Sequence, residues 1–135
     1  MEHGLATLAT VRSDGSVQLT VVNAGVVTHP VTACEVAALV TRGSARKLAH
    51  LRRHPAATLL WRSGWSWVAV EGIPELCGPN DPLEGVGSED LRRLLRTVAQ
   101  AAGAYHEDWH EYDRWAASEQ RTAVLLTPRR IYQNP

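Results

Sequence analysis

The 135 residues include no Phe, a single Met, a single Lys and two Cys, and the formal net charge is zero. Each scarcity excludes something. Cys34 and Cys77, far apart in sequence, announce neither a disulfide framework nor a Cys-based metal site, and both read as buried free thiols. Fourteen basic residues balance fourteen acidic ones, so the whole chain offers no field to draw nucleic acid or an anionic membrane, and any electrostatic argument must be local. The longest apolar run, 36–40, falls far short of the roughly 20 residues a membrane span needs, and no charged segment with an apolar core opens the chain. The expectation is a soluble, cytoplasmic protein of one domain, 1–135.

What is present is mostly strand. Residues 4–23 read as a hairpin, with the turn signal Ser13-Asp14-Gly15-Ser16 and a second strand in which Val17, Leu19 and Val21 alternate with Gln18 and Thr20. Residues 35–41 are a nearly continuous apolar strand, and 56–62 and 65–72 are two more, joined at Ser63-Gly64. Residues 72–88 carry the Pro and Gly of a loop. A helix is expected from Ser88, with first-turn acids Glu89 and Asp90 and an apolar stripe of Leu91, Leu94, Leu95 and Val98; a second covers 107–119. Residues 121–134 return as a strand bent at Pro128. Six short antiparallel strands with short helices close most naturally as a small barrel.

One segment is strongly polarised. Between Glu35 and Glu71 there is no acid, yet Arg42, Arg46, Lys47, Arg52, Arg53 and Arg62 fall there with His50 and His54 beside them. Thr41 and Ser44 are candidate N-caps for a helix starting near Ser44, whose free amides would face whatever lies beyond. Arg46 and Lys47 stand in that first turn, where the helix dipole disfavours cations unless an anion is bound. Strand end, glycine, hydroxyls, helix start and adjacent Arg-Lys have the composition of a phosphate cradle without Walker A spacing, which leaves a P-loop enzyme unsupported. The plain alternative is a solvated basic face with Leu48 and Leu51 packed inward.

The run "TRGSARKLAHLRRHPAATLLWRSGWSWVAVEG", with "LATVRSDGSVQLTVVN" before it and "YHEDWHEYDRWA" and "AVLLTPRRIYQN" after it, resembles the pyridoxamine 5′-phosphate oxidase-like split β-barrel flavoproteins, and within them the actinobacterial branch that uses the deazaflavin F420. Thirteen Arg against one Lys, with eighteen Ala, is the bias of a GC-rich genome. The resemblance implies a homodimer with cofactor sites between the two chains. It implies that Arg46 and Lys47 contact the cofactor phosphate or its acidic tail, that Thr41 and Arg42 border it, that Gln18 and Thr20 face the ring, and that His50 lies close by. It also implies that Trp65 reaches the ring from the partner chain. Many F420-using relatives carry a basic residue two before the lysine, where this chain has Ala45; the Arg-Lys pair is closer to FMN-binding members, so FMN stands as the alternative cofactor.

Residues 106–110, "HEDWH", satisfy the His-Glu-x-x-His pattern by which one helix face holds zinc. No third ligand follows at a known spacing, and the segment is similar to a stretch of the split-barrel relatives, so no metal is expected. The function expected is hydride transfer from reduced F420 to an electron-poor conjugated acceptor, a small molecule. The alternatives are an FMN oxidase or flavin reductase of the same fold, or a non-enzymatic module that binds F420 or haem. No Ser-His-Asp, Cys-His or paired-carboxylate set identifies a protein acid, and no aromatic-interleaved basic surface supports nucleic-acid binding.

Overall fold

In the computed structural model, which describes residues 4–135, the strands are β1 (Leu5–Val11), β2 (Val17–Thr28), β3 (Glu35–Thr41), β4 (Ala57–Ser63), β5 (Ser66–Cys77) and β6 (Thr122–Gln133), and the helices are α1 (Arg46–Arg53), α2 (Ser88–Ala101) and α3 (Trp109–Ser118). The strands close an antiparallel barrel in the order β1-β2-β3-β6-β5-β4, with β4 pairing back onto β1. This is the small, mainly β barrel that the strand count pointed to, and the split-barrel architecture that the resemblance implied.

Two apolar cores hold it. Inside the barrel, Leu8, Leu39, Leu59, Trp61, Val70, Val124 and Leu126 meet Leu48 and Leu51 of α1, so the apolar side of the basic helix plugs the barrel while its charges stay outside. A second core lies on the outer face, where Val27, Val36, Ala38, Ala123 and Leu125 receive Leu94, Leu95 and Val98 of α2 and Tyr112 and Ala116 of α3. Gly25 makes that second core possible. A Cβ there would stand 2.5 Å from backbone atoms of Ala101, closer than any side chain tolerates, so only Gly lets α2 lie flat on β2.

Several expectations shift. β2 runs on to Thr28. β5 continues through the expected loop to Cys77, because beyond Gly72 it pairs only with β6; its other edge is free there, and Pro74 loses no ladder bond. β6 is irregular at the expected place: its register with β5 shifts between Glu71 and Gly72, which leaves Arg129, next to Pro128, as the extra residue. Ser88 is the first residue of α2 and Gly87 its cap, with Asp90 Oδ2 accepting from Gly87 N at 3.2 Å. α3 is shorter than 107–119, since Asp108 ends the preceding loop by accepting from His110 N (2.9 Å) and Glu111 N (3.3 Å). Cys77 is buried, but Cys34 is exposed in the turn between β2 and β3. That turn is organised instead by buried His29, whose Nδ1 accepts from Val31 N and Thr32 N (both 3.1 Å) while Nε2 donates to Glu75 (2.9 Å).

Candidate functional site

The barrel is split where β2 and β3 part. Their pairing ends at Ala24–Leu39; before that point β2 is bonded only to β1, and beyond it Val40 and Thr41 of β3 are bonded only to β6. The gap opens into a cleft of about 380 Å³. Val21, Val22 and Asn23 form one lip, Val40 and Thr41 the other, and Lys47 enters from α1; Tyr112, Trp115, His106 and Arg121 wall the outer side.

The turn that delivers α1 is fixed by close packing. Gly43 N donates to Glu119 O at 3.0 Å, and a Cβ on Gly43 would meet Gln120 O at 2.7 Å, so the start of the basic segment is pressed against the loop that opens β6. Neither expected hydroxyl caps the helix. The chain makes a further turn through Ala45 N–Arg42 O (3.1 Å), which moves the cap to Ala45, a residue with no side-chain acceptor. The first-turn amides of α1 are therefore not satisfied by a side chain.

Lys47 is half-buried, and burial together with the nearby Arg42 pushes its ammonium below the ordinary lysine value, burial being the larger cause. No carboxylate among the described residues answers it. Among the described residues, Arg42, Arg46, Lys47 and Arg53 form no ion pair, whereas Arg52 is held by Asp81 through Nε–Oδ1 (2.9 Å) and Nη2–Oδ2 (2.6 Å). The hydrogen bonds from Arg52 hold the Asp81 carboxyl below the usual range. The cations of the segment thus separate into one that is structural and several that are free.

The residues singled out from sequence fall in three places. Thr41 and Lys47 meet in the cleft, with Arg42 next to Thr41 and Arg46 exposed at the start of α1. Gln18, Thr20 and His50 lie on the barrel side: Gln18 and Thr20 pair with Thr10 and Leu8, whose side chains point inward, and His50 Nδ1 is 3.1 Å from Thr10 Oγ1. The Gln18 Oε1 atom is buried with no hydrogen-bond partner. The apolar residues that alternate with them point out instead, with Val17 54%, Leu19 65% and Val21 72% exposed. Trp65, at the tip of the β4–β5 hairpin, is 93% exposed and lines none of the cleft within one chain. Asn134 braces that hairpin, donating to Trp65 O (2.6 Å) and accepting from Trp67 N (2.9 Å).

The outer wall is what sequence reasoning missed. His106, Trp109, Tyr112 and Trp115 pack in a chain of tilted and edge-on rings 4.8–5.8 Å apart. His106 lies before α3 begins, so the two histidines of "HEDWH" do not occupy one helix face as a zinc pair requires. Arg121 stacks on Trp115, 3.9 Å from the ring centroid, and its Nε donates to Glu119 at 2.9 Å. The signal for Arg121 lay in strand order: β6 pairs with β3, which carries the residue just before β6 to the rim beside Thr41 and the basic turn.

No family model matches the sequence, and a search of the curated proteins finds no match. Solved structures do match. A conserved hypothetical protein of Mycobacterium tuberculosis superposes with a TM-score of 0.67 at 24% identity, over 96% of this chain and 75% of that one. An F420 reductase superposes with a TM-score of 0.64 at 14% identity, over 95% and 88%. A protein of the pyridoxinephosphate oxidase family from Clostridium acetobutylicum gives 0.61 at 11% identity, over 97% and 79%. With its six-stranded closed barrel, plugging helix and helical pair, the chain has the pyridoxamine 5′-phosphate oxidase-like split β-barrel fold.

Proposed function

We propose that the protein is an oxidoreductase that seats the phosphate of F420 in the β2–β3 split and serves hydride transfer to an electron-poor conjugated acceptor, working as a homodimer. The observation that carries this reading is Lys47: a half-buried ammonium in a cleft, pushed toward its neutral form, with no carboxylate among the described residues to answer it. A bound anion removes that cost, because it favours the charged lysine and satisfies the uncapped start of α1. Thr41 and Arg42 border the same spot, and Arg46 stands one residue away with its charge free. When bound, reduced F420 supplies the hydride. The chain's own contribution is to anchor the charge, to offer the unpaired edge of β2 at 21–23 to the ligand, and to keep water out with the aromatic wall. Likeness in fold to an F420 reductase supports the cofactor class.

FMN is the second reading, and Arg52 favours it. A long anionic tail lying along α1 would draw on both cations at its far end, Arg52 and Arg53, yet Arg52 is committed to Asp81 and only Arg53 is free among the described residues. A single phosphate makes no such demand. A titration with F420 and FMN side by side separates the two, and turnover of reduced F420 with a panel of enones and quinones separates an enzyme from a storage module.

A further inference from the structure

The outer wall of the split carries a second cation in a prepared position. Arg121 lines the cleft with Lys47, and three features hold it there. Its guanidinium carbon lies over the Trp115 indole, 3.9 Å from the ring centroid; its Nε is anchored to Glu119 at 2.9 Å; and the loop that bears it is locked to the basic turn through Gly43 N–Glu119 O at 3.0 Å. The Nη1 and Nη2 groups make no hydrogen bond among the described residues. A stacked guanidinium loses little freedom when a ligand arrives, and its fork matches the spacing of phosphate oxygens. Trp115 in turn packs edge-on against Tyr112, which is buried under α2 with its hydroxyl donating to Leu95 O at 3.3 Å, so the platform is itself held in place.

We propose that Arg121 and Lys47 together form the seat of a phosphate monoester, with Trp115 as the positioning residue that keeps the Arg121 fork turned into the cleft. The inference rests on the FMN form of the cofactor reading above, since FMN ends in a phosphate monoester whereas the phosphate of F420 is a singly charged diester, and it adds the second cation, its support and the class of anion. A phosphate is favoured over a carboxylate by charge. The titratable groups on the cleft are Lys47, Arg121, His106 and Tyr112; Arg42 acts on Lys47 from beside it, Glu119 is paired with Arg121, and Asp113, near Tyr112, is already held by Arg96 and Arg92. Lys47, Arg121 and the neighbouring Arg42, offset by the one Glu119 carboxylate, leave a surplus of two positive charges, which calls for a ligand group with nearly two negative charges on one centre; a carboxylate does not carry them.

The test uses the full chain without cofactor, titrated calorimetrically with FMN, with inorganic phosphate and acetate as competitors. Arg121→Gln and Lys47→Gln are each expected to weaken FMN binding about tenfold or more, the loss of one charge-assisted hydrogen-bonding partner. Arg121→Lys should recover part of that loss. Trp115→Leu should weaken binding several-fold with no change of charge, and Trp115→Phe should restore it. Arg129→Gln, in a different surface hollow beside Glu71 and Ile73, should bind as the parent does. Phosphate should displace FMN where equal acetate does not. Thermal melts check that each variant is folded, and Arg121→Lys and Trp115→Leu carry the test if Arg121→Gln is not. Binding by Arg121→Gln within twofold of the parent, alongside a weakened Lys47→Gln, overturns the role of Arg121 and leaves the cofactor reading standing. Parental binding by both variants overturns the two together. Acetate competing as well as phosphate overturns the assignment of the anion.

Discussion

At the scale of single residues, the same chemistry has opposite outcomes according to partner. Arg52 and Lys47 are five residues apart on one helix, but Arg52 meets Asp81 in a two-point pair while Lys47 enters a cleft with no acid among its described lining residues. A cation in that state destabilises the ligand-free fold. The sign follows from the lowered ammonium value: the unfolded chain holds its proton more tightly, so stability from this group rises as pH climbs toward the ordinary lysine value near 10.4 and is deficient below it. Lys47→Met should therefore raise the melting temperature of the ligand-free protein at pH 7, and the gain should shrink as pH approaches 10. Calorimetric melts of parent and variant across that range check this, and a variant that melts lower at pH 7 contradicts it.

At the scale of elements, the helical pair is joined by charge as well as by its apolar seam. Asp113 of α3 accepts from Arg96 Nε (2.8 Å) and Arg92 Nη1 (3.1 Å) of α2, and those bonds, the Arg96 one first, hold its carboxyl below the usual value. A lowered carboxyl contributes stability that is full above its unfolded value near 3.9 and is lost as pH falls through the folded one. Acid should thus loosen α3 from α2 below about pH 4, and Asp113→Asn should be less stable than the parent at pH 7, with a smaller deficit at pH 3. Denaturant melts at the two pH values make the comparison; an equal deficit at both removes Asp113 from the account.

Elements were also where the sequence was most and least legible. The six strands and three helices came from alternation, turn signals and one apolar stripe, because those patterns are local. The start of α1 was misplaced because Ser44 is a good cap in isolation, and only the contact of Gly43 with Gln120 shows why the chain turns once more before the helix begins. The far half of β5 was hidden by Pro74, which is tolerated only because that strand has lost its β4 neighbour, a tertiary fact. In the cleft, Lys47 and Thr41 were readable from one contiguous run. Arg121 and Trp115 were not, since they reach it through the β3–β6 pairing from nearly 80 residues further on.

For the whole molecule, the exposed face of β2 is the feature a single chain leaves without an explanation. Val17, Leu19 and Val21 present a continuous apolar ridge on one side of a strand whose polar residues point inward, and Trp65 stands out at a nearby hairpin. Exposed apolar surface of that kind is characteristic of an interface. The proposed homodimer covers it with a second copy. Leu19→Glu combined with Val21→Glu should yield a monomer in sedimentation with the barrel intact by circular dichroism; a parent protein that sediments as a monomer at micromolar concentration contradicts the dimer.

The central claim is that the charge gathered at the start of α1 serves a cofactor phosphate in the β2–β3 split. The most direct measurement is the side-by-side titration of F420 and FMN into the parent and into Lys47→Met, followed by cofactor fluorescence. The account predicts saturable binding of at least one cofactor by the parent, and a dissociation constant roughly tenfold to a hundredfold larger for the variant, corresponding to about 1.5 to 3 kcal/mol for one lost charged partner. Lys47→Met binding both cofactors as tightly as the parent, or a parent that binds neither, would contradict it.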